Sequence, residues 1–283
     1  MRDEPAGARA ASRASFARES HRTELTNETY SRSRPAMGSF VFMTEAQVTK
    51  SAKVRKLLKA LADPEKAAFF PHFFKTGPGE YGEGDRFLGV TVPKCRKIAR
   101  AARGMEAAEI AKLLDSPWHE EREVAIFILV EAFKRAKSDK DRKDIYRFYV
   151  EHLDRVNNWD LVDGSAPTIV GVFLEDKDRK QLYRWARSRD LWERRIAMLA
   201  TFCYIKKKDF KDAFAIAAIL RDDEEDLIHK AVGWMVREIG NRDLAAEERF
   251  LDEHYKKMPR TMLRYAIEKF PEQKRQAYLK GTA

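Results

Sequence analysis

The chain of 283 residues is short of three things: cysteine, glycine with proline, and long apolar runs. Two cysteines, Cys95 and Cys203, lie far apart and exclude a disulfide framework. That usage suits a reducing compartment, and a cytoplasmic protein is expected. Glycine (13) and proline (10) are sparse, which favours long helices over turn-rich sheets. No apolar stretch approaches the roughly 20 residues that a membrane helix needs. The six histidines are scattered, none near a cysteine or carboxylate at ligand spacing, so no metal site or cofactor is read.

What is present is charge. Lysine and arginine total 55 against 45 acidic residues, a formal net charge of +10, which favours a polyanionic partner. Residues 1–42 are rich in Arg, Ser and Ala and have no apolar periodicity. Their acidic residues argue against a transit peptide, and they lack the apolar core of a secretory signal. We read them as a disordered extension, with Met37 or Met43 as an alternative start, and residues 43–283 as one domain.

From about residue 44 the pattern is helical. AEIAKLLDS (108–116), EEREVAIFILVEAFKRAK (120–137) and DRKDIYRFYVEHLD (141–154) carry apolar residues at three- and four-residue intervals. The exception is GPGEYGEGDRFLGVTVP (77–93), which reads as a long loop. REVAIFIL (122–129), RRIAMLAT (194–201), HKAVGWMV (229–236) and MLRYAIEK (262–269) resemble one another. Glu123, Trp159, Arg195 and Lys230 follow at intervals of 36, 36 and 35 residues. A helix pair recurring at that period predicts an all-α fold, an α-solenoid of HEAT-like repeats whose second helices line a concave, basic face. In that register Trp159, Arg195 and Lys230 share one row, and Asp163, Leu199 and Trp234 a second, one turn on.

Taken singly, each of these residues has a plainer role. A tryptophan on a helix is usually core, Asn157 or Asn158 reads as an N-cap, and Asp160 or Asp163 can complement the helix dipole. Trp118 and Trp192 read as packing anchors. Two tryptophans, a carboxylate and cations converging on one concavity favour function instead. The basic series runs through Arg194, Arg195, Lys230, Arg237 and Arg264, which we expect to track a phosphate backbone.

Three stretches, FLGVTVPKCRKIAR (87–100), VNNWDLVDGSAPTIVG (156–171) and the pair DLWERRIAMLATF (190–202) with HKAVGWMVREIG (229–240), resemble the AlkD-type DNA alkylation repair glycosylases. The resemblance covers roughly residues 45–280. It implies that Trp159, Asp163 and Trp234 form a catalytic cleft and that Arg195 matches a DNA-binding arginine. It implies hydrolysis of the N-glycosidic bond of N3- or N7-alkylated purines in duplex DNA, by a monomer without metal or cofactor. The lesion would be held against the cleft rather than in a tight base pocket. The family places a glutamine just before the proline of its FLG segment. Thr91 or Val92 stands there here, a departure that bears on N-terminal DNA contacts and not on the catalytic set. Two other classes compete: a non-catalytic repeat protein that binds damaged, bent or branched DNA, and a protein-binding scaffold. Retention of Asp163 speaks against the first, and the Arg and Lys content of the concave helices against the second.

Overall fold

The computed structural model describes residues 48–283, so the reading of residues 1–42 falls outside the described residues. Within them the chain is helical and has no strand; one isolated bridge joins Arg86 to Trp118. The N-terminal helices are α1 (Ser51–Ala60), α2 (Pro64–Phe73) and α3 (Val92–Ala101). Helical pairs follow: α4 (Ala107–Leu114) with α5 (His119–Arg135), and α6 (Asp139–Glu151) with α7 (Trp159–Ala166). Next come α8 (Lys180–Trp185) with α9 (Leu191–Ala200), then the short α10 (Phe202–Ile205). The series closes with α11 (Lys211–Leu220), α12 (Asp226–Gly240), α13 (Leu244–His254), α14 (Arg260–Ala266) and α15 (Glu272–Lys280).

The second helices stack in chain order, α5 on α7, α7 on α9, α9 on α12 and α12 on α14. Of the first helices, α4 packs on α5 and α8 on α9, while α6 packs on α5 and on the turn that follows α7. This is the all-α solenoid that the repeat period implies. The inner helices are apolar on most sides because neighbours enclose them. In α5 every residue from His119 to Val130 is buried, as expected of a helix with protein on all faces. Polar starts stop the helices cleanly. Asp190 accepts from the backbone of Trp192 and Glu193, Asp243 from Ala246 and Ser138 from Asp141, each satisfying an orphan N–H of the first turn.

Small residues set how closely the stack closes. A Cβ at Gly233 would lie 2.3 Å from the Met262 carbonyl, so only glycine permits the α12–α14 approach. After α7 a π-helical turn over Pro167–Gly171 widens the helix where it passes α9 and α10.

The long segment between α2 and α3 has no regular structure from Thr76 to Thr91 yet is firmly held. The Glu120 carboxylate accepts from the backbone of Leu88, Gly89 and Val90 at 2.8–3.1 Å. Gly89 has φ +79°, and a Cβ there would lie 2.1 Å from the Asp63 carbonyl.

Candidate active site

Asn158 caps α7: its backbone is extended and its side-chain oxygen accepts from the Trp159 N–H at 2.8 Å. The half-buried Trp159 ring stacks on Phe74 at 5.5 Å and 21° and meets Phe73 edge-on at 5.8 Å. Both phenylalanines belong to the end of α2 and the residue after it. Tyr81, from the anchored loop, sits edge-on to Trp192 at 5.9 Å and feels the side chain of Trp159. Burial raises the Tyr81 hydroxyl to about 12, against the opposing influence of Trp159. It stays a neutral phenol at physiological pH.

One turn beyond Trp159 stands Asp163. Arg195 of α9 grips it in a two-pronged pair, Nε to Oδ1 at 2.8 Å and Nη2 to Oδ2 at 2.7 Å. The remaining Nη1 donates to the Leu227 carbonyl at 2.6 Å. One guanidinium therefore ties α7 to the first turn of α12, the helix that carries Trp234. Burial pushes the Asp163 carboxyl above the ordinary range, although Arg195 works in the opposite direction. The Asp163 side chain keeps 19% of its surface open, the Arg195 side chain 5%.

Trp234 lies two turns after Leu227 on α12 and is half-buried. Its ring is 6.0 Å from that of Phe202, and its indole N–H donates to Glu238 at 3.3 Å. Lys206 sits over the Phe202 ring at 4.4 Å and Arg242 at 5.6 Å. Aromatic surface and positive charge alternate here, as expected of a surface that receives nucleotides.

The two predicted rows are corrected. Asp163 meets Arg195, and Arg195 meets the Leu227 carbonyl, so the two bonds that Arg195 makes across the stack each span 32 residues, not 35 or 36. Leu199, placed beside Asp163 by the repeat period, is fully buried core. The period identifies which helices stack; the axial shift between them comes from how their ridges interlock.

The predicted cations also separate. Arg195 is 4% exposed and turned onto Asp163. Arg237 is buried and paired with Glu268. Arg194 spans Asp223 at 2.6 Å and the carbonyls of Ser188 and Arg189. Lys230 pairs with Asp226 within its own helix at 2.5 Å, with 36% of its side chain open. Arg264 is exposed. Only Lys230 and Arg264 of the five present their charge outward, because the other three are spent inside the protein.

Sequence reasoning passed over Tyr81, Phe73 and Phe74, which surround Trp159, and His119 and Asp85, which lie beneath it. An aromatic set between glycines in GPGEYGEGD was the available signal for Tyr81. Nothing local pointed to His119.

A model of the DNA alkylation repair enzyme family matches residues 54–270. The chain belongs to that family. Its membership gives this alkylation repair enzyme a DNA partner. Among solved structures, the chain is similar to a predicted DNA alkylation repair enzyme from Enterococcus faecalis, with 16% identity and a TM-score of 0.57. The match covers 75% of this chain and 97% of that one, a likeness of fold alone. Two Streptococcus mutans structures are more distant in shape. AlkD2 has 19% identity and a TM-score of 0.47 over 78% of this chain and 97% of that one. The smu.31 protein has 19% identity and a TM-score of 0.46 over 78% and 99%. No curated protein matches.

Proposed function

We propose that this family member is a DNA glycosylase that hydrolyses the N-glycosidic bond of cationic N3- or N7-alkylated purines in duplex DNA. The observation that carries the proposal is the Asp163 carboxylate, fixed by Arg195 one turn from the Trp159 ring and tied through Leu227 to the helix of Trp234. An alkylated purine already bears a positive charge. When its bond to C1′ breaks, the bonding electron pair neutralises the base, so no general acid is needed. Positive charge then develops on the sugar. A carboxylate held in a partly dehydrated site stabilises that oxocarbenium ion and orients the water whose oxygen bonds to C1′. The water's proton passes to the carboxylate or to solvent. Arg195 opposes the burial that raises the Asp163 carboxyl and so favours its ionised form. The ring faces of Trp159 and Trp234 add cation–π stabilisation.

In this reading residues 43–283 form the working unit, a monomer acting on double-stranded DNA in the bacterial cytoplasm. Lys230 and Arg264 supply contacts to the phosphate backbone. Residues Trp159, Asp163 and Trp234 carry the chemistry, with no metal or cofactor in the scheme.

A second reading is a non-catalytic binder of damaged, bent or branched DNA. One feature favours it: both Asp163 oxygens already accept from Arg195, as in an ordinary structural ion pair. Each oxygen nevertheless retains a further acceptor site. Incubation with methylated duplex DNA separates the two. Release of free 3-methyladenine or 7-methylguanine supports the glycosylase; tight binding with no released base supports the binder.

A further inference from the structure

The first residue of α5, His119, is 2% exposed, and both of its ring nitrogens face carboxylates. Nδ1 lies 3.2 Å from Asp85 of the anchored loop, and Nε2 lies 2.7 Å from Asp160 of α7. A neutral imidazole has one N–H, so bonding to two ionised acceptors requires the doubly protonated ring. Burial opposes that charge, but Asp160 and then Asp85 overcome it and hold the imidazolium up to about 10. The loop contributes Asp85 and α7 contributes Asp160; α5 itself adds Arg122, bonded to Asp85 at 2.5 Å, and Glu123, which burial and Asp160 raise to about 8. Glu120, also on α5, is committed to the loop backbone.

These bonds converge on one residue. Asp160 follows Trp159 directly, and Asn158 precedes it. Asn158 caps the Trp159 N–H and donates to the same Asp85 at 3.3 Å. The His119 ring also packs against Phe74 at 4.8 Å, and Phe74 is the ring on which Trp159 stacks. His119 and its two carboxylates thus hold the residue before Trp159, the residue after it, and the ring beneath it. Apolar side chains of similar volume would fill this space without the desolvation cost of buried charges. What charge adds is a fixed geometry across three chain segments.

We propose that His119 is a positioning residue for the Trp159 ring: an imidazolium pin, between the loop's Asp85 and Asp160 of α7, that sets where the indole stands in the candidate site. The inference rests on the proposed function for its catalytic consequence but not for the pinning itself.

The test uses the full chain labelled with 5-fluorotryptophan, with the Trp159 fluorine line assigned by Trp159→Phe. His119→Gln removes the charge, and Asp160→Asn cuts the link to α7 while Asp85 keeps Arg122 and Asn158. Each variant shifts or splits the Trp159 line and leaves in place the line of Trp185, which is buried on α8 and shares no bond with the His119 network. Each also lowers single-turnover excision by about tenfold or more, while affinity for undamaged duplex stays within about twofold, because misplacement at the chemistry leaves phosphate contacts intact. A general loss of structure would instead move the Trp185 line and affinity together. If His119→Gln does not fold, Asp160→Asn decides alone. An unmoved Trp159 line in a folded variant, or an unchanged excision rate per folded molecule, overturns the proposal. If the unmodified protein releases no base, the glycosylase reading fails, and the fluorine line still decides whether His119 pins the indole.

Discussion

Asp160 and Asp163 stand one turn apart on the same short helix, each paired with a cation from another element, yet their surroundings differ in kind. Asp160 joins a crowd. Its His119 is shared with Asp85, which also takes Arg122 and Asn158, so the loop, α5 and α7 are locked together. Among the described residues Asp163 has a single hydrogen-bond partner. Among the same residues Arg195 serves no other carboxylate and spends its remaining bond on one carbonyl of α12. A shared network holds geometry, and removing one member leaves the others partly satisfied. A one-to-one pair leaves the carboxylate's charge under the control of one neighbour and still open on its far side. The first residues of α7 are built for position and the next turn for electrostatics.

The sharpest way to break this contrast is Asp163→Asn, which keeps shape and removes charge. Excision is expected to fall by about two orders of magnitude or more, the scale of losing one preorganised electrostatic group, with binding of undamaged duplex retained. A single-turnover assay on methylated DNA checks it; wild-type rates would remove Asp163 from the chemistry.

Next in size is Arg195→Ala. It strands a buried carboxylate, so we expect excision down by about tenfold and stability down by up to about 3 kcal/mol, the low end for a broken buried pair because Asp163 keeps some solvent. Urea unfolding measures the second figure. The salt dependence of DNA binding should not change, since the guanidinium is turned inward. A flatter salt slope would make Arg195 a phosphate contact after all.

The pH profile sharpens the comparison further. Excision needs ionised Asp163, whose carboxyl is raised by burial. Activity is therefore full above that raised value and is lost as pH falls through it, placing the acidic limb above the ordinary aspartate range near ~4. In Asp163→Asn this limb should vanish. A limb that persists there belongs to another group.

The smallest effects concern the outward cations. Lys230→Ala and Arg264→Ala should each weaken damaged and undamaged duplex alike, by a few-fold, and reduce the salt slope by about one unit. Titrations at several ionic strengths test this. Selective loss of damaged-DNA binding would place either residue at the lesion instead.

Much of this molecule was legible along the chain. The apolar spacing located the helix pairs, the glycines and prolines marked the 77–93 loop, and the WDLVD run placed Trp159 and Asp163 on one helix a turn apart. Cations were harder to read. A buried, paired arginine such as Arg237 and an exposed one such as Arg264 are the same letter, and only their neighbours tell them apart.

What the sequence by itself determined is periodicity, and with it the helices, their pairing into repeats and the family to which the chain belongs. Tertiary structure alone decided which side chains meet. The 35- to 36-residue period says that α7, α9 and α12 are neighbours, but the contacts run at 32 residues, Asp163 to Arg195 to Leu227. Angular position around a helix follows from residue number, whereas the slide of one helix along another is set by ridge-in-groove packing and by close approaches such as the one Gly233 permits. The folded chain sets Arg195, read along the sequence as a DNA contact, against Asp163. The pinning of Trp159 by His119 was likewise invisible, because its members come from three segments, Asp85, His119 and Asn158 with Asp160, that only the folded chain brings together.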